Sequence, residues 1–503
     1  MGGMAPAARE MVPPGVETPA REAPPGFEPG VEVLQTSALP LGYGAEGAGI
    51  YQPGKPGERA AKPLQPIHFD AFSPLAAPPP DVTPRRVAVI GAGAAGTMAA
   101  IFSAAAGAET RLLERTRDGG RKILISGGGR CNILPARVDE RRFVTDSSSH
   151  TLRNILRSWP LAAQVTFFER ELGLPLVEEV ETAKLFPASN RARDVRDGLL
   201  ALAARRGAEF LPETNVTGLN PDGPGWLVER ETGPPLPADA VVVATGGLSV
   251  PATGSDGRGL AMLAALGHTV HPTYPALTPL TAEPPGFATL AGISLPVTLL
   301  ARDAARTAQA TGGFLFTHRG YSGPAVLDVS HVMVRSRMEG ASAATLRVRW
   351  TPLEWAEWEA ALAPAGTRTV AGALRRELPE RLADALAGRA GVAPDRPLAQ
   401  LRRDERLRLI QMLTRGELPW SGDEGYRKAE VTGGGVSLGE IDPRTMESRR
   451  HAGLYLCGEV LDAFGPIGGY NFLWAWATGR AAGIAAGAHP PARLPSQAAR
   501  KAR

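Results

Sequence analysis

Hydrophobic and polar positions change character abruptly near residue 85. Arg85-Arg86-Val87-Ala88-Val89-Ile90 is a short apolar run with β-branched residues, the pattern of a strand buried on both faces. A glycine turn follows it. Residues 97–106 then read as a helix of small residues, and 110–114 as a second strand. Such a β-α-β unit implies a parallel sheet with a right-handed crossover. Residues 150–210 follow a mostly helical period, and 238–244 is another strand, running into Thr245-Gly246-Gly247. Alternating runs such as 295–300 and 346–350, with turn signals between them, predict strands within 272–350. Residues 352–415 are rich in Leu, Ala, Glu and Arg and read as several helices. The pattern then returns to a short buried strand at 454–457 and a closing helix over 471–486.

The fold class expected from this order is α/β. A Rossmann-like dinucleotide-binding domain (85–271 and 454–490) is interrupted by a β-rich, barrel-like insert (272–350 and 421–453), which itself carries a helical insert at 351–420. The first 84 residues hold 17 of the 46 prolines and 11 of the 59 glycines, without sustained period. They bury too little apolar surface to offset their ordering entropy, and predict a disordered extension with at most a short docked piece at 67–75. Residues 491–503 read as a flexible tail. No apolar stretch is long enough to cross a bilayer, and the N-terminus lacks an apolar signal core, so a cytoplasmic protein is expected.

Composition narrows the chemistry. Two cysteines, Cys131 and Cys457, are too few for a disulfide scaffold and wrongly spaced for a redox pair, and the eight histidines form no metal cluster. The chain has a net charge of +4 with a pI of about 9.2, but only six of its 55 basic residues are lysine. That balance reads as a bias toward arginine rather than a dedicated polyanion face, and leaves RNA as an open partner.

Gly91-Ala92-Gly93-Ala94-Ala95-Gly96 lies between a strand and a helix, with Glu114 at the tip of the next strand, 18 residues past Gly96. Gly91 permits the tight turn, Gly93 lets backbone approach a pyrophosphate, and Gly96 lets helix pack on strand. Free amides and the positive helix end then face the phosphates, alongside Ala94 and Ala95, with Glu114 as acceptor for a ribose and Arg115 beside it. Later segments favour FAD over NAD. They are the strand ending in Ala244-Thr245-Gly246, the strand ending in Gly458-Glu459, and a helix starting near Gly469-Tyr470-Asn471, aimed at a flavin's pyrimidine edge. Between them, Gly120-Arg121-Lys122-Ile123-Leu124-Ile125-Ser126-Gly127-Gly128-Gly129-Arg130-Cys131-Asn132 would lie over the cofactor, its glycines allowing close approach and Arg121, Lys122 and Arg130 supplying charge. Val216 completes the set of cofactor contacts.

This last segment resembles the HI0933-like flavoproteins, also described as BaiN/RdsA-like or aminoacetone-oxidase-like NAD(P)/FAD-dependent oxidoreductases. The resemblance extends through Phe186-Pro187, Thr253-Gly254-Ser255-Asp256-Gly257 and Phe316-Thr317-His318-Arg319-Gly320-Tyr321-Ser322-Gly323-Pro324. It continues through Glu430-Val431-Thr432-Gly433-Gly434-Gly435-Val436, Met446-Glu447-Ser448 and the stretch 458–471, and so spans about 85–488. It implies an FAD-binding Rossmann-like domain, a β-barrel-like insert and a small helical domain. Relatives are associated with reduction of bile-acid enones and of a uracil ring in ribosomal RNA. Ile133-Leu134-Pro135, Pro466 and Leu473 depart from the family's usual residues beside the flavin, so no single substrate carries over.

Cys131, His318 and Tyr470 are candidate catalytic groups, with Tyr321 and Glu430 further possible acids at the flavin. From residue 85 onward no second G-x-G-x-x-G is present. NAD(P)H is therefore expected as a transient electron donor visiting the substrate's cleft, and no metal is expected. The reading is an FAD-dependent oxidoreductase passing hydride from NAD(P)H through flavin N5 to an activated C=C bond of a small-molecule or nucleobase substrate. Two alternatives stand beside it: a flavin-dependent enzyme reducing uracil in ribosomal RNA, and a flavin-binding protein without turnover.

Overall fold

The computed structural model describes residues 83–283, 286–340 and 344–488. The expected extension up to residue 82, its piece at 67–75 and the tail at 491–503 lie outside the described residues.

Five parallel strands form the first sheet, in the order Leu454–Leu456, Ala240–Val243, Arg86–Ile90 (β1), Glu109–Leu113 (β2), Glu209–Leu211. Ala240–Val243 is buried throughout and β1 is buried after Arg86, as the continuous apolar runs require of a sheet covered on both faces. The helix after β1, α1 (Ala94–Ala105), begins three residues earlier than expected. Gly93 is extended and serves as its N-cap, and two alanines propagate the helix from there. A three-stranded meander, Val216–Asp222, Gly225–Arg230 and Leu236–Ala238, contributes Val216, Trp226 and Val228 to the same core.

The closing helix, Tyr470–Gly487, is the partner that fixes α1. Its glycines at 479, 483 and 487 recur every fourth residue. A Cβ on Gly479 would stand 2.3 Å from the Ala95 carbonyl oxygen, one on Gly483 2.3 Å from that of Ala99, and one on Gly487 2.7 Å from that of Ser103. The two helices thus meet backbone to backbone, closer than side chains on both would permit. Residues 150–210 are less helical than expected. Helices Ser149–Arg157, Leu161–Thr166 and Ala192–Arg205 flank a hairpin of Leu176–Glu179 with Lys184–Pro187, to which Leu134–Pro135 adds a third strand. Those strands are two to four residues long and partly solvent-facing, too short for a two-residue period to register.

Two long strands, Val270–Ala276 and Val431–Val436, run antiparallel into and out of the insert. The insert's sheet is antiparallel and seven-stranded, built around Ser294–Arg302 and Thr307–Phe316. Helix Pro324–Met338 packs on it; it was not expected, because ten of its fifteen residues are buried and no polar face marks its period. Four helices, Trp355–Ala361, Val370–Leu374, Glu380–Arg389 and Arg403–Arg415, complete this second core, as the composition of 352–415 foretold. Val436, Leu438, Ile441 and Met446 pack into the first core, although the sequence pattern had grouped 421–453 with the insert. No helix among the described residues is long and apolar enough to cross a membrane.

The glycine contacts set a stability test. Gly483→Val forces α1 and the closing helix apart and should lower unfolding stability by about 3 kcal/mol or more. Gly388→Ala, in a helix where an added Cβ meets nothing within 4 Å, should raise it by about 0.5–1 kcal/mol. Calorimetric unfolding of the two variants against the parent checks both signs.

Candidate functional site

Each glycine of the first turn has a separate physical role. Gly91 has φ +99°, and a Cβ there would stand 2.7 Å from the Ala244 carbonyl oxygen. A Cβ on Gly96 would come 1.8 Å from the carbonyl oxygen of Gly91. Both glycines therefore serve packing. At Gly93 an added Cβ meets nothing within 4 Å, and α1 begins there without a side-chain cap, so its first amides face open space. Glu114 closes the turn from behind. Its carboxylate accepts from the Ala92 amide at 2.8 Å and from the Thr116 amide and hydroxyl at 2.8 and 2.7 Å. Glu114 is thus an acceptor, as expected, but it is already braced by the chain itself. Thr214 donates its amide to the Glu114 carbonyl, which brings the start of the Val216–Asp222 strand alongside, and Val216 is buried. Arg115 is ion-paired with Asp256. Beside the turn, the buried Thr245 hydroxyl has no partner among the described residues.

A second cluster draws in four segments. Glu459 accepts from Lys122 Nζ at 2.8 Å, from the Ser249 hydroxyl at 2.6 Å and from the Thr432 amide at 3.0 Å. Lys122 also donates to Ser249 Oγ at 2.7 Å, and Thr432 Oγ1 accepts from the amides of Leu248 and Ser249. Gly247 admits this arrangement, since a Cβ there would lie 2.4 Å from Thr432 Oγ1. Burial alone would raise the Glu459 carboxyl, but Lys122, Ser249 and Thr432 hold it below its ordinary value, so it stays charged. Lys122 was expected to face the cofactor; its ammonium instead neutralises Glu459. Arg121 pairs with Asp118, and Arg130 pairs with Glu179 while stacking over the Phe186 ring at 4.1 Å.

After helix Arg121–Ile125 the chain turns through Ser126 and three left-handed glycines, with Gly128 and Gly129 exposed. Gly128 has open space where a Cβ would stand. Cys131 follows, also left-handed at φ 62°, and its thiol is fully buried. Burial pushes that thiol up to about 12, with Ser126 easing the shift, so it is not a reactive thiolate at neutral pH. Asn132 is half-buried beside Gly127. Across from this loop stands the turn at 465–471. Gly468 and Gly469 are left-handed, and a Cβ on Gly469 would come 2.4 Å from the Leu134 carbonyl carbon. Asn471 ties the turn by exchanging hydrogen bonds with the Gly465 amide and carbonyl at 2.9 and 3.0 Å. A Cβ on Gly458, two residues past the last sheet strand, would crowd Ala95 at 2.7 Å.

The remaining candidates separate. His318 is exposed in the turn after Thr307–Phe316, within the insert. Tyr321 is buried in the insert's core among Phe287, Phe314 and Phe316. Tyr470 is buried too, and its hydroxyl donates to the Arg137 carbonyl at 3.1 Å. Glu430, at the mouth of the outgoing linker strand, is exposed, and no described residue hydrogen-bonds its carboxylate. Sequence reasoning missed Ser249 and Thr432. Thr432 and Ser249 sit in glycine-rich runs that had been noted, but hydroxyls in such runs carry no period to single them out.

The HI0933-like protein Rossmann domain matches residues 85–485. The chain belongs to that family. It is 32% identical over 415 residues to 3-dehydro-bile acid delta(4,6)-reductase of Clostridium scindens, covering 80% of this chain and all of that one. It is also 32% identical over 393 residues to the ribosomal RNA dihydrouridine synthase of Escherichia coli, covering 78% of this chain and 95% of the other. Among solved structures, 3-ketosteroid-delta4-(5alpha)-dehydrogenase from Rhodococcus jostii RHA1 is similar at a TM-score of 0.43 and 15% identity, over 80% of this chain and 97% of that one. The family places this chain among the oxidoreductases.

The cluster around Glu459 makes a direct prediction. Lys122→Met leaves a carboxylate buried without its cation and should cost about 3–5 kcal/mol. Adding Glu459→Gln should recover part of that loss. Unfolding of the single and double variants measures both.

Proposed function

We propose that the chain holds FAD in the crevice running from the Gly91–Gly96 turn to the Gly468–Asn471 turn, and that it is an FAD-dependent reductase of activated C=C bonds. The observation that carries the reading is the open face at Gly93. There an uncapped helix N-terminus meets empty space, beside the Glu114 brace. These groups fit a dinucleotide. The amides at Gly93 and Ala94 face its pyrophosphate, and Glu114 has lone pairs left for a ribose. Gly128 leaves the same kind of space on the opposite wall.

When bound, the flavin supplies the capacity to accept a hydride from reduced nicotinamide and pass it to an electron-poor double bond. The protein's share is placement. The N-terminus of helix Tyr470–Gly487 presents its positive end to the pyrimidine side of the ring, and Glu459 and Lys122 remain a neutral pair beneath the crevice. NADH or NADPH serves as the transient donor. The names of the two relatives support a conjugated carbonyl compound as acceptor, and equal identity to both keeps a uracil base within RNA as a second reading.

The purified protein should be yellow or become so on incubation with FAD, and NADH or NADPH should bleach it anaerobically. A protein that stays colourless with FAD would overturn the proposal. Glu114→Ala should raise the Kd for FAD about 10–100-fold through loss of a charged hydrogen-bond acceptor. Equilibrium dialysis measures this, and unchanged retention would contradict the role given to Glu114. Salt titration of binding to ribosomal RNA separates the second reading from the first.

A further inference from the structure

Glu430 stands where the two domains face each other, and no hydrogen bond or ion pair occupies its carboxylate among the described residues. Its amide donates to the Leu277 carbonyl, so its backbone is fixed by the incoming linker strand. Two residues on, Thr432 joins the Glu459 cluster, so Glu430 immediately precedes the strand that supplies that contact. The charges that face it come from three other elements: Lys184 of the hairpin, Asp328 of helix Pro324–Met338 and Lys122 of helix Arg121–Ile125.

Two of these groups lie against the 465–471 turn. The Lys184 side chain runs alongside Gly468, with Cε 3.3 Å from where a Cβ would stand, and its ammonium makes no hydrogen bond to the described residues. Asp328 accepts from the Ile467 amide at 2.9 Å and pairs with Arg142 at 3.0 Å. Asp328 is therefore spent on the turn, whereas Glu430 and Lys184 are free. A cation without a hydrogen-bonding partner thus borders the turn ahead of the closing helix, and it is among the charges that face Glu430.

From this juxtaposition we infer that Glu430 is the proton donor of the reduction and Lys184 the anchor for the substrate's carbonyl oxygen. The assignment rests on the reading of the chain as a flavin-dependent reductase. Desolvation by the surrounding protein, with the Asp328 charge, pushes the Glu430 carboxyl up to about 7, against the pull of Lys184 and Lys122. It therefore holds a proton through mildly acidic pH and loses it as pH rises through neutrality. In the step, Glu430 gives its proton to the α-carbon of an enone while a hydride reaches the β-carbon. The C=C π bond is lost, two C–H bonds form, and the substrate gains two electrons that originate in the reduced nicotinamide. Glu430 is left as carboxylate and regains its proton from water. Lys184 stabilises the negative charge that develops on the carbonyl oxygen.

The test compares FAD-loaded wild type with Glu430→Gln. Both should retain flavin equally and be reduced by NAD(P)H equally. Reoxidation by cyclohexenone should be at least about 100-fold slower in the variant, while reoxidation by ferricyanide, which takes no proton, should be unchanged. In wild type the cyclohexenone rate should fall as pH rises through about 7, and that limb should be absent from the variant. Infrared difference titration of the protein without flavin provides a second readout: a protonated carboxyl band lost near pH 7 and missing from Glu430→Gln. Equal cyclohexenone rates in the two proteins, or no such band in wild type, would overturn the assignment. Failure to take up FAD would instead sink the flavin reading, and the infrared titration would still judge Glu430.

Discussion

A carboxylate kept charged away from water needs partners, and Glu459 draws its partners from three distant parts of the chain. Lys122 follows the second strand of the Rossmann-like sheet, Ser249 follows the fourth in sequence, Thr432 lies on the strand returning from the insert, and Glu459 follows the last. None of these residues is near another in sequence, so satisfying one charge fixes the relative positions of four segments. The crevice is proposed where those segments end together, at the carboxyl ends of the parallel strands where open α/β sheets bind their ligands.

The second constraint is steric. Three glycines of the closing helix let its backbone lie against the carbonyls of α1, which is itself pinned by Gly96 to the turn it follows. Holding those helices together sets where residues 468–471 fall relative to Gly93. The two ends of the proposed crevice are thereby defined by one helix pair, while the insert and its linker bring two acids, Asp328 and Glu430, toward the same place.

Much of this was legible in the sequence wherever local pattern and tertiary role coincide. The first strand, the glycine turn, Glu114 and the final strand and helix follow from apolar runs and from glycines whose spacing has a mechanical reason. Three kinds of feature were not legible. Helix Pro324–Met338 is buried on nearly every side, so its apolar residues show no stripe. The hairpin around Lys184 is too short for its alternation to stand out from the flanking helices. The partners of the charges were hidden as well: Lys122 and Arg130 were read as cations for a cofactor, and the fold gives Lys122 the Glu459 carboxylate, 337 residues away, and Arg130 that of Glu179, 49 residues away. Cys131 was a weak candidate beside three glycines and an arginine, and the same glycine turn that exposes Gly128 folds the thiol inward. Pairing and burial of this kind are decided by tertiary contacts, which single-chain periodicity does not encode.

The central claim is that one continuous crevice joins the open face at Gly93 to the glycine turn ahead of Tyr470 and receives a flavin dinucleotide. A crystal structure of the protein saturated with FAD tests it most directly. The account predicts the pyrophosphate over the first amides of α1 and the ring system against Gly468 and Gly469, with Glu430 and Lys184 on its open side. Density for the dinucleotide on any other surface, or a bound molecule that reaches only one of those two glycine turns, would contradict it.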